Sequence, residues 1–384
     1  MLNVHKLVPC AATALALSLA PSVAYADTLP PATQKMLAAI KLDPSILDGI
    51  DAELKVPDAW VEGAKKEGAV ILYDTMGPND FKKVYSVFSA RYPFVKMSHS
   101  EVHTSTRRYI VPLTAFKEGR HVVDIIMNLS GNTFLFRRVG AFMNLSDLPN
   151  FKRLPDYAHA KDNITVVTRQ RYWCMSYNKK LVKESDLPRT WDDLVNGTRF
   201  ADKKLMIGNR PNNWVLALWQ THGDAWGEEF VRKVFESLKP QLRKEGLGAL
   251  VKLTGLGEGH AAVPQAMSRV GQYAQTGAPI GFHCPLPVTT ALTEAGIMSN
   301  SPHLNGARIF LNWFISREGQ IAQFWADGSN PVRTELQRKE FLAFPEAVAD
   351  KKVAEEGEDA TKAKLAKAWN ERWLKASGAA AKKH

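Results

Sequence analysis

The chain opens on an apolar run from Leu7 to Val23, rich in Ala and Leu and preceded by only His5 and Lys6 as weakly positive residues. It closes on Ala24-Tyr25-Ala26, which places small residues at the two positions that a signal peptidase reads. The run is shorter than the ~20 apolar residues a bilayer requires, and Pro9 and Pro21 interrupt it. It therefore reads as an export signal (1–26), cleaved after Ala26 to leave Asp27 first. There is no twin-arginine pair, so the general secretory route is expected. Cys10 lies too close to the start, behind Val8 and Pro9, to serve as a lipidation site. The mature product is expected to be a free periplasmic protein.

After a short amphipathic stretch at Ala32–Leu42 and a Pro/Asp-rich link, the pattern becomes regular. Pro57 to Lys66 has helical spacing, and Ala69-Val70-Ile71-Leu72-Tyr73 is a continuous apolar run ending on Asp74-Thr75-Met76-Gly77-Pro78, which predicts a buried strand and a loop. Phe81, Val84, Tyr85 and Phe88 recur at helical intervals before a second strand at Val95–His99. A helix over Thr104–Lys117, a strand over Val122–Met127 and a helix over Thr133–Val139 continue the alternation. That order predicts an α/β fold with a parallel sheet covered on both faces. The middle of the chain repeats it, with strands at Ile164–Thr168, Tyr172–Tyr177, Lys204–Gly208, Ala261–Val263 and Ile280–His283. Helices are expected at Trp214–Thr221 and Glu228–Leu238, and one is opened by Thr190 with Asp193 three residues on, a capping-box spacing. From His303 the pattern is helical again.

The composition is that of a folded protein, 45% hydrophobic and 23% charged in 384 residues. The length left after cleavage exceeds one ordinary core, so two lobes are expected. The net charge of +11 is scattered. Its densest basic stretch, from Lys351 on, also holds Glu355, Glu356, Glu358, Asp359 and Glu371, the mixture of a solvated helix face and a frayed tail. With no basic stripe and no nucleic-acid module, no nucleic-acid partner is expected; a small anionic ligand suits the charge better. Cleavage leaves Cys174 and Cys284, which cannot make a zinc site alone and form no C-x-x-C. They are two buried thiols or one bridge.

No G-x-S-x-G elbow, H-E-x-x-H helix or P-loop occurs. Gly255-Leu256-Gly257-Glu258-Gly259 follows a helix where a dinucleotide loop would follow a strand. Neither a cofactor nor an enzymatic activity is expected. A secreted enzyme assembled from scattered Ser, His and Asp remains the rival class.

The order of several motifs resembles the extracellular solute-binding proteins of ABC importers, in the cluster that includes the periplasmic ferric-binding proteins. The pieces are Ala64–Tyr73, Phe88-Ser89-Ala90-Arg91-Tyr92-Pro93, Gly119-Arg120 with Val123-Asp124-Ile125, Ser176-Tyr177-Asn178, Leu187–Leu194, and Ser301–Ala307 followed by Asn312–Gln320. The resemblance implies the type 2 periplasmic-binding fold: two α/β lobes joined by a strand hinge, with the ligand in the cleft. It places the first lobe at 57–165 and 290–384 and the second at 166–289, which leaves 27–56 as an N-terminal extension. The implied partners are a small-molecule solute and an inner-membrane permease, with the chain a monomer; a sensor-coupled receptor would share this architecture. Cys174 and Cys284 would lie on or near the crossing segments, where a bridge requires Cα atoms within ~7 Å.

Ligand residues are expected after strands and at helix starts. The candidates are Asp74, Thr75 and Gly77; Thr104 and Arg107; Ser130, Gly131 and Asn132; Asn212 and Trp214; Arg269 and Tyr273; and His283. Arg107 and Arg269 suit a carboxylate or phosphate. Trp214 fits a stacking role or a core role equally. The ferric-binding relatives use an adjacent tyrosine pair with a His and a Glu, a hard-oxygen set for Fe(III). Here the corresponding stretch is Met267-Ser268-Arg269-Val270 with Tyr273 nearby, and the loop Leu129–Asn132 has no Glu. The expected cargo is therefore an organic or phosphorylated anion or a metal chelate, with direct ferric binding as the alternative and no protein metal site expected.

Overall fold

A computed structural model describes residues 29–349, 351–355 and 361–378, apart from 103, 105, 130–132 and 161. The expected export signal and the Ser130-Gly131-Asn132 segment lie outside the described residues. Ten strands are described: β1 Ala69–Asp74, β2 Lys96–Glu101, β3 Ile125–Met127, β4 Val166–Asn178, β5 Leu205–Gly208, β6 Gln241–Arg243, β7 Ala261–Ala266, β8 Ile280–His283, β9 Val288–Ile297 and β10 Val353–Glu355. Their order is β2-β1-β3-β9-β4-β7-β5-β6, with β8 on β4 and β10 on β9. The pairs β1–β2 and β1–β3 are parallel, as are β5–β6 and β5–β7. The strands joining these two halves, β4 and β9, run antiparallel to each other and to their neighbours β3, β7 and β8.

The hinge lies in β4 and β9. Residues Val166–Tyr172 of β4 pair with β9 in the first lobe, and from Trp173 onward the same strand pairs with β7 and β8 in the second. The sequence pattern suggested two strands here, because Arg169-Gln170-Arg171 interrupts the apolar alternation. The structure fuses them into one, since the polar interruption is satisfied: the Gln170 N–H donates to Asn330 O at 3.1 Å and Arg169 meets two carboxylates. β9 was not legible, because Thr289, Thr290, Thr293 and Glu294 make it read as polar; the three threonines are buried. Next to the hinge, Cys174 and Cys284 form a disulfide with Cα atoms 5.0 Å apart. It ties the second half of β4 to the segment leaving β8.

Two large cores flank the hinge. The first gathers Val70, Leu72, Val84, Phe88, Ile125, Phe310, Trp313 and Phe314. The N-terminal stretch is part of it: Met36, Leu37, Leu47, Ile50 and Leu54 pack in the same cluster. An ionic lock secures that stretch. Glu53, 3% exposed, accepts from Arg317 Nε and from Arg333 Nη1, each at 2.7 Å. The second core holds Trp191, Trp214, Trp219, Phe230 and Phe235. The last helix, Lys362–Ala376, corrects the expected lobe boundary. Sequence reasoning assigned 290–384 as a whole to the first lobe, but Leu365, Ala368, Trp369 and Trp373 lie in the second core. The reason is aromatic: Trp369 packs edge-on against Trp214 and Phe235, and its indole N–H donates to Asn209 at 2.9 Å. Local chemistry read from the sequence recurs as well, since Thr190 and Asp193 close their capping box at the helix Trp191–Asn196. Among the described residues, no helix is long and apolar enough to cross a membrane.

Candidate functional site

β1 ends at the carboxyl edge of its sheet, where α/β proteins bind ligands. Its last residue, Asp74, is buried, accepts the Thr75 N–H at 2.6 Å and pairs with Arg169 Nη2 at 3.0 Å. Arg169 comes from the hinge strand β4 and is fully buried. Its Nη1 donates to Asp327 at 2.8 Å and its Nε to Thr293 Oγ1 of β9 at 3.1 Å. One guanidinium thus joins β1, both hinge strands and the end of the helix Arg317–Asp327.

Arg171 lies two residues further along β4 and so projects to the same face. It differs sharply from Arg169. Its nearest carboxylate oxygen, on Asp327, is 4.0 Å away, and its side chain makes no hydrogen bond among the described residues. Burial pushes its guanidinium down to about 10, the Arg169 and Arg269 charges add to that, and Asp327 and Asp74 offset part of it. A cation so placed is short of counter-charge.

The second lobe contributes the helix Met267–Ala274. Exposed Arg269 donates to Gln272 Oε1 at 3.2 Å, and Gln272 reaches across to Asp327 O at 3.4 Å. The lobes meet here closely: a Cβ added to Gly328, at the end of the first-lobe helix, would lie 3.1 Å from Ser268 Cβ. Asp80, on the first-lobe helix Pro78–Arg91, faces the same charges. Burial, then Asp327, raises its carboxyl, while Lys83 and Arg269 pull it down. His99 of β2 stacks on Phe81 at 4.1 Å between centroids, and burial lowers its imidazole despite Asp74 and Glu101. Thr75 accepts from the Asn128 amide beyond β3, in a contact linking the ends of two strands. Asn128 takes the left-handed backbone that Asn tolerates, at φ 63°, and its carbonyl accepts from Tyr109 Oη at 3.2 Å.

Asp74, Thr75 and Arg269 are thus brought together around residues that sequence reasoning missed: Arg169, Arg171, Asp327 and Asp80. A signal for two of these existed, since arginines at i and i+2 on an otherwise buried strand point to one face. The other candidates are placed as follows. Gly77 is the N-cap of the helix Pro78–Arg91. Thr104 and Arg107 are exposed at the start of a π-helical turn, Thr106–Ile110, where an α-helix was expected; the Arg107 N–H donates to Thr104 Oγ1 at 3.4 Å. Asn212 is half-buried in a short 3-10 turn. Trp214 has no exposed surface and packs against Trp191 and Phe230 with centroids 5.0 and 5.7 Å away, so in this structure it is a core residue. Tyr273 lies against the helix Leu247–Leu256, where a Cβ on Gly255 would come within 2.7 Å of its ring. His283 bonds through Nε2 to Pro188 O at 2.7 Å, and burial lowers its imidazole. These last three turn into the second lobe.

The sequence pattern of bacterial extracellular solute-binding proteins matches residues 113–354. No curated protein matches the chain. Among solved structures, the chain is similar to an IdiA/FutA protein from Trichodesmium in complex with iron and citrate, with TM-score 0.66 and 17% identity over 79% of this chain and 99% of that one. It is similar to the substrate-binding protein of an ABC transporter from Agrobacterium tumefaciens, with TM-score 0.64 and 15% identity over 81% and 96%. The periplasmic binding protein AfuA of Actinobacillus pleuropneumoniae, with exogenous fructose-6-phosphate bound, matches with TM-score 0.59 and 16% identity over 80% and 98%. At these identities the likeness establishes the two-lobed fold, with the cleft between the lobes.

Proposed function

From the premise that this chain belongs to the bacterial extracellular solute-binding proteins, we propose that it is the periplasmic receptor of an ABC importer and that its cargo is a small anion. The anion is an organic acid, a phosphorylated compound or an anionic metal chelate. It enters the cleft between the lobes and is held by Arg171 of the hinge and Arg269 of the second lobe, with Asp74 and Asp327 fixing Arg169 behind them. Closure about β4 and β9 then produces the shape that a membrane permease reads.

The observation that carries this reading is Arg171. A guanidinium in a partly buried position normally finds a carboxylate at hydrogen-bond distance. This one has its nearest at 4.0 Å and faces two other arginines instead. An anion would relieve that repulsion and take up donors suited to bidentate pairing. The neighbours solved with fructose-6-phosphate and with iron and citrate show that this fold accommodates anions of that size in other proteins. Binding without turnover fits the family, so no catalytic residue is assigned.

The test is a melting screen of the mature chain against organic anions, sugar phosphates, ferric citrate, neutral sugars and amino acids. A ligand that binds only the folded form raises its melting temperature. A shift with one anionic class, clearly diminished in Arg171→Met, supports the reading. A shift with neutral solutes alone, undiminished in Arg171→Met, overturns the anion assignment. Turnover of an ester or phosphate substrate would overturn the receptor assignment.

A further inference from the structure

The first lobe carries a second cluster of chemistry-bearing side chains, at the edge of its sheet opposite the cleft. Asp124 immediately precedes β3, and its Oδ2 accepts the N–H of Ile71 at 2.6 Å. Asp74, at the cleft end of the same β1 strand, is three residues further on, about 10 Å along the strand axis. Around Asp124 stand two imidazoles. His121 Nε2 is 3.1 Å from Asp124 Oδ1, and His303 Nδ1 is 3.0 Å from Asp124 Oδ2.

We propose that His121, Asp124 and His303 form a binding site for one divalent transition-metal ion, separate from the cleft. One ligand atom from each of the three lies within 4.8 Å of the others. Donors at ordinary Zn–N and Zn–O distances on a tetrahedron would be about 3.3 Å apart, close to the His–Asp spacings already present. The two rings meet edge to face, 77° apart with centroids at 5.9 Å, which aims them at shared space instead of stacking them.

The strongest indication is His121. Both of its ring nitrogens are buried without a hydrogen bond, and its Nε2, although near Asp124, is not aligned for one. Buried polar atoms left without partners are uncommon and costly, and an ion is one of the standard reasons for them. The carboxylate, by contrast, is held from behind. Ile71 N–H and Ser301 Oγ–H both donate to Asp124, and Ser301 in turn accepts the His303 N–H at 3.0 Å. A carboxylate has about four lone-pair sites; two are taken by these donors, and one of the other two now faces His303 Nδ1 at 3.0 Å, a contact that the metal would replace. Such anchoring groups orient the ligands of metal sites.

The donor set selects the class of ion. Two imidazoles and one carboxylate suit Zn(II), Co(II) or Ni(II), whereas Ca(II) and Mg(II) require oxygen cages. The Asp124 side chain is fully buried and the two histidines are 20% and 23% exposed, so the cluster lies just beneath the surface of the lobe. Bound there, the ion would pin the segment before β3 to the start of the helix Leu304–Phe314, both within the first lobe.

The test uses the full mature chain, with any affinity tag removed and metals stripped by a chelator. Zn(II) is titrated by calorimetry and Co(II) by its visible absorption. One equivalent of each should bind at micromolar concentration or tighter, with a cobalt spectrum of low coordination number and a rise in melting temperature. The 1:1 site should be lost in His121→Gln and in His303→Gln and retained in Arg171→Met. His121→Gln removes a side chain without hydrogen bonds, so its fold should persist even if His303→Gln proves unstable. Absence of binding at micromolar metal, or binding undiminished in His121→Gln, overturns the proposal.

Discussion

Two buried arginine–carboxylate networks, one at the rear of the first lobe and one in the cleft, use the same side-chain chemistry to opposite ends. In the rear network every nitrogen of Arg317 has an acceptor: Glu53, Ile46 O and Asp48 O, at 2.7 to 2.9 Å. Arg333, also buried, is held by Glu53 at 2.7 Å and by Glu335 at 2.6 Å. The cleft network begins the same way, with Arg169 between Asp74 and Asp327, but the next arginine is left at 4.0 Å and crowded by like charge. A saturated network holds a structure together; an unsaturated one reserves donors. The difference between lock and site lies in the arithmetic of partners, and neither residue type nor burial alone reveals it.

The comparison is most exposed at Glu53. Glu53→Gln takes the carboxylate from partly buried Arg317 and leaves buried Arg333 with Glu335 alone, and breaking a buried pair costs about 3–5 kcal/mol. Denaturant unfolding should show that loss, with cleft affinity for the cognate anion unchanged. A loss below about 1 kcal/mol would remove the rear network from the category of locks. Arg171→Met should do the reverse. Affinity for an anionic ligand should fall by about 1.5–3 kcal/mol, the worth of hydrogen bonds to a charged group. Stability should hold or rise, since the substitution relieves repulsion. A destabilisation matching that of Glu53→Gln would erase the distinction. Arg269→Ala, on an exposed helix face, should weaken the anion by about 1 kcal/mol, and exposed Arg107→Ala by less, because among the described residues its one hydrogen bond is from its backbone N–H to Thr104. Calorimetry on the three variants ranks them.

The smallest effect concerns Asp80. Burial and Asp327 raise its carboxyl above its ordinary value of 3.8. The folded chain therefore keeps this proton at a pH where the unfolded chain has lost it. The resulting destabilisation is absent below pH 3.8, grows as pH rises through the raised value and is complete above it. Asp80→Asn should remove it. The variant's melting temperature should gain on the wild type from acid towards neutral pH, and a constant difference across that range would show that Asp80 titrates normally.

Much of the fold was legible because local rules decided it. Ala69–Tyr73 could only be a buried strand, and Thr190 with Asp193 announced its own helix. The second crossing strand was hidden by its threonines, whose hydroxyls find partners only once other strands lie beside them: Thr289 and Thr293 on β4 and Thr290 on β10. Trp369 and Trp373 sit in a Lys/Ala-rich tail that reads as solvated, and only the distant aromatics of the second core give them a place. In the cleft, Asp74 was legible as the residue that ends a strand. Arg169 and Arg171 were not, because a charged pair within a strand looks like a break until Asp74 and Asp327, far off in sequence, close around the first and leave the second. The bridge between Cys174 and Cys284 stayed open in the sequence for the same reason, at a sequence separation of 110.

The final helix has a mechanical consequence. Because the chain leaves the first core at Phe341 and enters the second at Ala354, with β10 laid along β9, the lobes are joined by three strips of backbone. Two adjacent strands form a ribbon that can both fold and twist. A third strip beside them resists torsion much more than folding, so the lobes should swing about one axis as a book does about its spine. Each jaw would then return to the same alignment at every closure, and a receptor that must present one repeatable face to its permease gains from a joint with a single degree of freedom.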